Sequence, residues 1–153
     1  MKKGKLIGYF RFLSGINLSK IEDKGIRSSI ISNHLMMYRI AQQHDEDIKE
    51  LQKKLFEGKE EDIAALSKLR EEYKEVADDR KKEIINQIMT DYKSLLELET
   101  ELNALFNEKL NEEVDVNLKK VSQEDFVEVC VGAGIDITPA DLIELEDLFE
   151  INN

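Results

Sequence analysis

From Lys59 to Val131 the chain runs 73 residues with neither glycine nor proline. Those two residues are the strongest punctuators of local structure, so a stretch this long without them does not divide into short strands and tight turns. Its apolar positions recur every three or four residues: Ile63, Leu66, Leu69, Tyr73, Val76, Ile84, Ile88, Leu95, Leu98, Leu102 and Leu105. That is the period of one helix face. The whole chain of 153 residues is 36% charged and 7% aromatic, with one Pro and no Trp. Such a composition belongs to long helices and coiled coils, and a hydrophobic content of 41% argues against disorder.

The segment before it keeps the same rhythm, through Ile26, Ile30, Met37, Ile40, His44, Ile48, Leu51 and Leu55. It predicts a helix about 45–50 Å long at 1.5 Å per residue. Gly58 then supplies the left-handed residue that commonly follows a helix end. The turn is short, so residues 25–57 and 59–110 are expected to pack antiparallel as a coiled-coil-like helical hairpin. The charged run Asp78 to Lys82 and the pair Thr90–Asp91 interrupt the second arm. It reads as one helix of roughly 75 Å or as two in series.

Residues 1–24 form a dense apolar segment (Leu6, Ile7, Tyr9, Phe10, Phe12, Leu13, Ile16, Leu18) expected to bury itself on the hairpin, as a helix over 5–14 ended near Gly15. Arg11 breaks the apolar run, so the segment reads as mature protein rather than a cleaved leader. Residues 111–153 read as a small α/β cap. Val114 to Leu118 alternates with the period of a strand, and Ile135 to Ile137 offers a second. Ser122 is placed to cap a short helix that Gly132 and Gly134 end, and Thr138–Pro139 is a strong helix start. The last helix is expected to reach about Ile151, with Leu142, Ile143, Leu145, Leu148 and Phe149 inward. The predicted fold is therefore mainly α: a long antiparallel hairpin (25–110), an apolar N-terminal segment (1–24) and an acidic C-terminal cap (111–153), in a single domain.

The net charge of −11 is unevenly spread. Residues 1–40 carry +6, residues 41–110 carry −7, and residues 111–153 carry −10, with no basic residue after Lys120. Such polarity favours head-to-tail contact, or a partner that reads one end. Lys2, Lys3, Lys5 and Arg11, interleaved with Tyr9, Phe10 and Phe12, form a candidate basic patch for nucleic acid; the alternative is a dock for the acidic C-terminal residues. No stretch approaches the 18 apolar residues of a membrane span.

Chemistry-bearing motifs are scarce. His34 and His44 stand ten residues apart on one predicted helix, about 15 Å, too far for one metal. Cys130, the lone cysteine, sits in an apolar run without a basic neighbour to activate it. The Gly134–Thr138 loop lacks the alternating acids of a calcium site, and Gly132-Ala133-Gly134 lacks a phosphate-binding lysine. No catalytic, cofactor or metal site is expected, and the chain is read as a non-enzyme.

The segment Leu6-Ile7-Gly8-Tyr9-Phe10-Arg11-Phe12-Leu13, the helix start Gly25-Ile26-Arg27-Ser28-Ser29, the charged hairpin and the stretch Leu110-Asn111-Glu112-Glu113-Val114-Asp115-Val116 before two short helices share a plan with a known group. The layout resembles small proteins of unknown function encoded by tailed bacteriophages and prophages. Their helix start is usually richer in arginine, where this chain has only Arg27. The resemblance implies a phage or prophage setting and brings no catalytic residues.

These features point to a structural or protein–protein interaction protein acting through helix–helix contacts, with a protein partner or a second copy. The candidate contact residues are Met36, Met37, Tyr38, Tyr73 and Tyr92, types common at adaptable interfaces. The alternatives are a nucleic-acid-associated protein using the basic first 40 residues, and an acidic mimic that blocks a basic partner. The expected location is the cytoplasm, or the virion if the chain is phage-encoded.

Overall fold

The computed structural model describes residues 1–151, so Asn152 and Asn153 of the expected cap lie outside it. The described residues form seven α-helices and two short 3-10 turns, with no strand among them. The chain divides into two compact units: residues 1–44 with 109–153, and residues 45–108.

In the first unit, α1 (Lys3–Ser14) buries Leu6, Ile7, Tyr9 and Leu13, and Gly15 follows its last residue, as the sequence predicts. A 3-10 turn (Leu18–Lys20) leads to α2 (Lys24–Leu55), whose 32 residues span about 48 Å. Asp23 starts α2 by accepting the Ile26 N–H at 2.9 Å, the orphan donor of a first turn. Within this unit the predicted stripe faces inward: Ile30, Met37 and His44 are buried and Ile26 and Ile40 half-buried, joined by Asn33 and Ala41, which the pattern does not include.

The described residues of the C-terminal cap form no sheet. Residues 114–118 keep the predicted alternation, with Val114 and Val116 half-buried and Leu118 buried between exposed Asp115 and Asn117. No neighbouring strand pairs with them. Two isolated bridges, Lys2 with Glu113 and Val121 with Phe149, are the only β contacts among the described residues. Asn33 takes the place of a strand partner. Its side-chain amide donates to the Lys119 carbonyl at 2.9 Å, and its Oδ1 accepts the Lys119 N–H at 2.8 Å.

Ser122 caps α6 (Gln123–Gly132), and Gly134 follows at φ +74°, a left-handed turn that glycine adopts without steric cost. Residues 135–137 form no strand either. Thr138 and Asp141 cap α7 (Pro139–Glu144) reciprocally, but the helix stops at Glu144 and continues as a 3-10 turn (Glu146–Leu148), short of the expected Ile151. Ile143, expected inward, is exposed, whereas Leu145, Leu148 and Phe149 join the core around Phe126 and Cys130.

In the second unit, the region expected as one or two helices is three: α3 (Glu60–Glu75), α4 (Asp78–Asp91) and α5 (Lys93–Asn111), the last running on past residue 108. Val76 and Ala77 are extended, and the acids Asp78 and Asp79 open α4, where the positive helix end favours them. Tyr92 marks the second break. Leu66, Ile84 and Leu95 are its buried residues, one from each helix. A two-point pair, Arg70 to Glu99 at 2.8 Å on both oxygens, ties α3 to α5.

Candidate functional site

The five candidate contact residues separate into two groups. On α2, Met37 is fully buried in the core, so it contributes packing and no contact surface. Met36 is half-buried against the same core, and Tyr38 is exposed. Tyr73 and Tyr92 belong to the other unit. The Tyr73 ring lies under the Lys81 ammonium at 5.3 Å, and Tyr92 is half-buried at the α4–α5 break.

The face that does stand out on α2 combines Tyr38 with two residues that sequence reasoning missed. Ile31, Leu35 and Tyr38 are exposed at i, i+4 and i+7, which is one continuous helix stripe. It lies about 100° round α2 from the core stripe that holds Ile30 and Met37. The signal was readable in the sequence as a second apolar series, hidden because the first is longer. Phe10 of α1 borders this face, stacked on His34 at 4.8 Å and tilted against Tyr38 at 6.0 Å.

His34 also meets Ser14, with Nε2 2.9 Å from Oγ. The Ser14 hydroxyl donates to the Phe10 carbonyl at 2.7 Å, so its one hydrogen is already committed. His34 therefore donates to Oγ here rather than drawing a proton from it, and the pair locks α1 to α2. An activated nucleophile needs the opposite polarity.

The basic residues are mostly engaged within the first unit. Lys2 Nζ donates to Asn111 Oδ1 at 3.2 Å, and Lys3 pairs with Glu112. Lys5 bridges Asp147 at 2.7 Å and Glu146 at 3.1 Å. Tyr9 donates its hydroxyl to Asp147 at 3.0 Å. The Lys5 hydrogen bond holds the Asp147 carboxyl below its usual range, and the same bond raises the Lys5 ammonium. Burial pushes the Tyr9 phenol up to about 12. Arg11 remains exposed on α1.

Burial also pushes the Cys130 thiol up to about 11, away from the thiolate form. Among the described residues no group of three or more His, Cys, Asp or Glu side chains is placed to hold a metal ion. Among them, too, no helix is long and apolar enough to cross a membrane.

Compared with protein-family models, with curated proteins and with solved structures, the chain matches none.

Proposed function

We propose that the chain is a non-enzymatic interaction protein that works through helix–helix contacts. The observation that carries this reading is the α2 stripe: three large apolar side chains, consecutive on one face, left in solvent. Single exposed apolar residues are ordinary, but a contiguous set rimmed by charge marks a contact surface. The pairing of Lys2, Lys3 and Lys5 with residues 111–147 supports this reading over a nucleic-acid one, because those cations already have partners. The same pairs neutralise part of the C-terminal acidity, which weakens the case for an acidic mimic.

The antiparallel hairpin belongs to this proposal. Gly58, at φ +75°, turns the chain between α2 and the helices that form the second arm. So do a phage or prophage origin, supported by the shared plan alone, and residence in the cytoplasm or the virion. A photo-crosslinking residue at Leu35, with a control at exposed Glu97 of α5, tests the contact surface in cells. Discrete protein adducts at position 35 alone are expected. No adducts there, or the same pattern from both positions, would end the reading.

A further inference from the structure

The two sides of α1 differ in what lies against them. Phe10 faces α2 and borders the Ile31–Leu35–Tyr38 stripe. Gly8 lies about 200° round the helix from Phe10, at about 100° per residue. On that side an open groove of ≈ 280 Å³ runs between α1 and α7, lined by Gly4, Gly8, Phe12 and Leu145 together with Asp141 and Glu144. A Cβ built on Gly8 would meet nothing within 4 Å, so the groove reaches down to the α1 backbone. Small-molecule sites enclose about 300–1,000 Å³. This groove is smaller and open, and suits one or two apolar side chains from another helix.

The stripe has the complementary character. Leu35 is 59% exposed, Tyr38 47% and Ile31 38%, so all three project. Around them the sequence supplies Lys24, Arg27 and Arg39, and no acid stands between Lys24 and His44. Around the groove the sign reverses. Asp141 and Glu144 line it, no base follows Lys120 in sequence, and Lys5, the one cation in its lining, is already paired with Asp147 and Glu146.

We infer that the α2 stripe of one copy docks into the α1–α7 groove of a second copy. α1 stands between the two surfaces, so one molecule does not fill its own groove with its own stripe. The contact is therefore head-to-tail, and builds a closed ring or an open filament according to the rotation between copies. A two-fold pairing of stripe on stripe would instead set Arg27 and Arg39 of both copies together with no acid in residues 24–44 to offset them. Like charges across an interface disfavour that arrangement. This inference rests on the helix-contact reading above and names its partner.

The test is light scattering on the full chain up to about 1 mM, the weak end of meaningful association, at low and high salt. The expected result is a mass that rises with concentration and falls with salt. Leu35→Glu spoils the stripe, and Gly8→Leu fills the groove while favouring helix at that position. Each variant alone should stay monomeric, with at least tenfold weaker association. Mixed in equal amounts they should form a dimer and stop, because each keeps one intact face. Glu144→Arg, at an exposed position, is the second groove variant; it should also dissociate the chain, and Arg39→Glu added to it should restore assembly.

A wild-type chain that is monomeric at 1 mM overturns the inference. So does assembly that survives Gly8→Leu and Glu144→Arg, which would mean stripe-on-stripe pairing, or a mixture that fails to dimerise. A monomeric chain whose position-35 crosslinker captures a different protein removes the second copy as partner and leaves the helix-contact reading standing. Absence of adducts removes both.

Discussion

Asn33→Ala should destabilise the first unit by about 2 kcal/mol. Asn33 is 4% exposed, and its carboxamide makes two hydrogen bonds to one peptide, with the Lys119 N–H at 2.8 Å and the Lys119 carbonyl at 2.9 Å. A net contribution of about 0.5–1.5 kcal/mol per bond gives about 1–3 kcal/mol, and stranding a buried backbone group costs about 1–3 kcal/mol more. Lys119 itself is exposed, so water relieves part of that penalty and the centre of the range is the better figure. Urea unfolding followed by helical circular dichroism reads the change as a shift in midpoint at unchanged slope. Asn33→Asp sharpens the test. At neutral pH its carboxylate still accepts the N–H but faces the carbonyl with no hydrogen to donate, which raises its folded pKa above the unfolded value near 3.9. The penalty relative to wild type is then full above that folded pKa and fades as pH falls towards the unfolded value. A loss below about 0.5 kcal/mol for Asn33→Ala, within the range of ordinary surface substitutions, would refute the claim that this side chain anchors residues 114–121. So would a gap between Asn33→Asp and wild type that widens on acidification.

The core and surface stripes of α2 should separate cleanly by unfolding: Met37→Ala should cost about 2–5 kcal/mol, while Leu35→Glu should stay within about 0.5 kcal/mol. The Lys5–Asp147–Tyr9 cluster should shape stability at both pH extremes. Asp147 is depressed, so its contribution is present above the unfolded carboxylate value and lost as pH falls through the folded one; Lys5 and Tyr9 are raised, so theirs is present below pH 10 and lost above it. Tyr9→Phe should flatten the alkaline limb of a melting-temperature profile, because it removes the Tyr9 titration and a contact that raises Lys5, and an unchanged limb would dissociate the cluster from it. A double-mutant cycle on Arg70→Met and Glu99→Gln should return about 0.2–1 kcal/mol, because both side chains stand at least a third exposed and solvent screens the pair.

The helices are legible in the sequence, whereas the two short strands it suggests are not formed among the described residues. Strong periodicity, Ser122 and Thr138 as caps, Gly58 as a left-handed residue and Gly132 with Gly134 as a helix end are local signals, and the structure places each where expected. The breaks at Val76–Ala77 and Tyr92 contain neither glycine nor proline, yet each adjoins an interruption visible in the sequence, Asp78 to Lys82 and Thr90–Asp91. The first arises where Asp78 and Asp79 favour a new helix start. The period-two runs at 114–118 and 135–137 predict strands, yet alternation reports only that one side is buried. A strand also needs a backbone partner, which is a tertiary property. For residues 114–121 the anchor is a lone asparagine on a helix, 86 residues away, and no local pattern announces it. Ile31 and Leu35 escape the sequence pattern for a related reason: a helix with a strong core stripe masks a shorter one beside it.

The charge polarity of the chain takes on a different meaning once its partners are known. In sequence it suggests head-to-tail contact or a partner that reads one end, with the basic first residues either a nucleic-acid patch or a dock for the acidic C-terminal residues. In the structure, Lys2, Lys3 and Lys5 meet Asn111, Glu112, Glu146 and Asp147, so the two ends of the sequence close on each other within one unit. What remains for an outside partner is the remainder after that closure. Lys24, Arg27 and Arg39 come from α2, beyond the paired lysines, and they accompany the exposed apolar stripe; Asp141 and Glu144 remain beside the groove. Long-range polarity steers encounter, but fixed register needs apolar contact and charge at the same place. In this chain that coincidence occurs on α2 and again, with opposite sign, between α1 and α7.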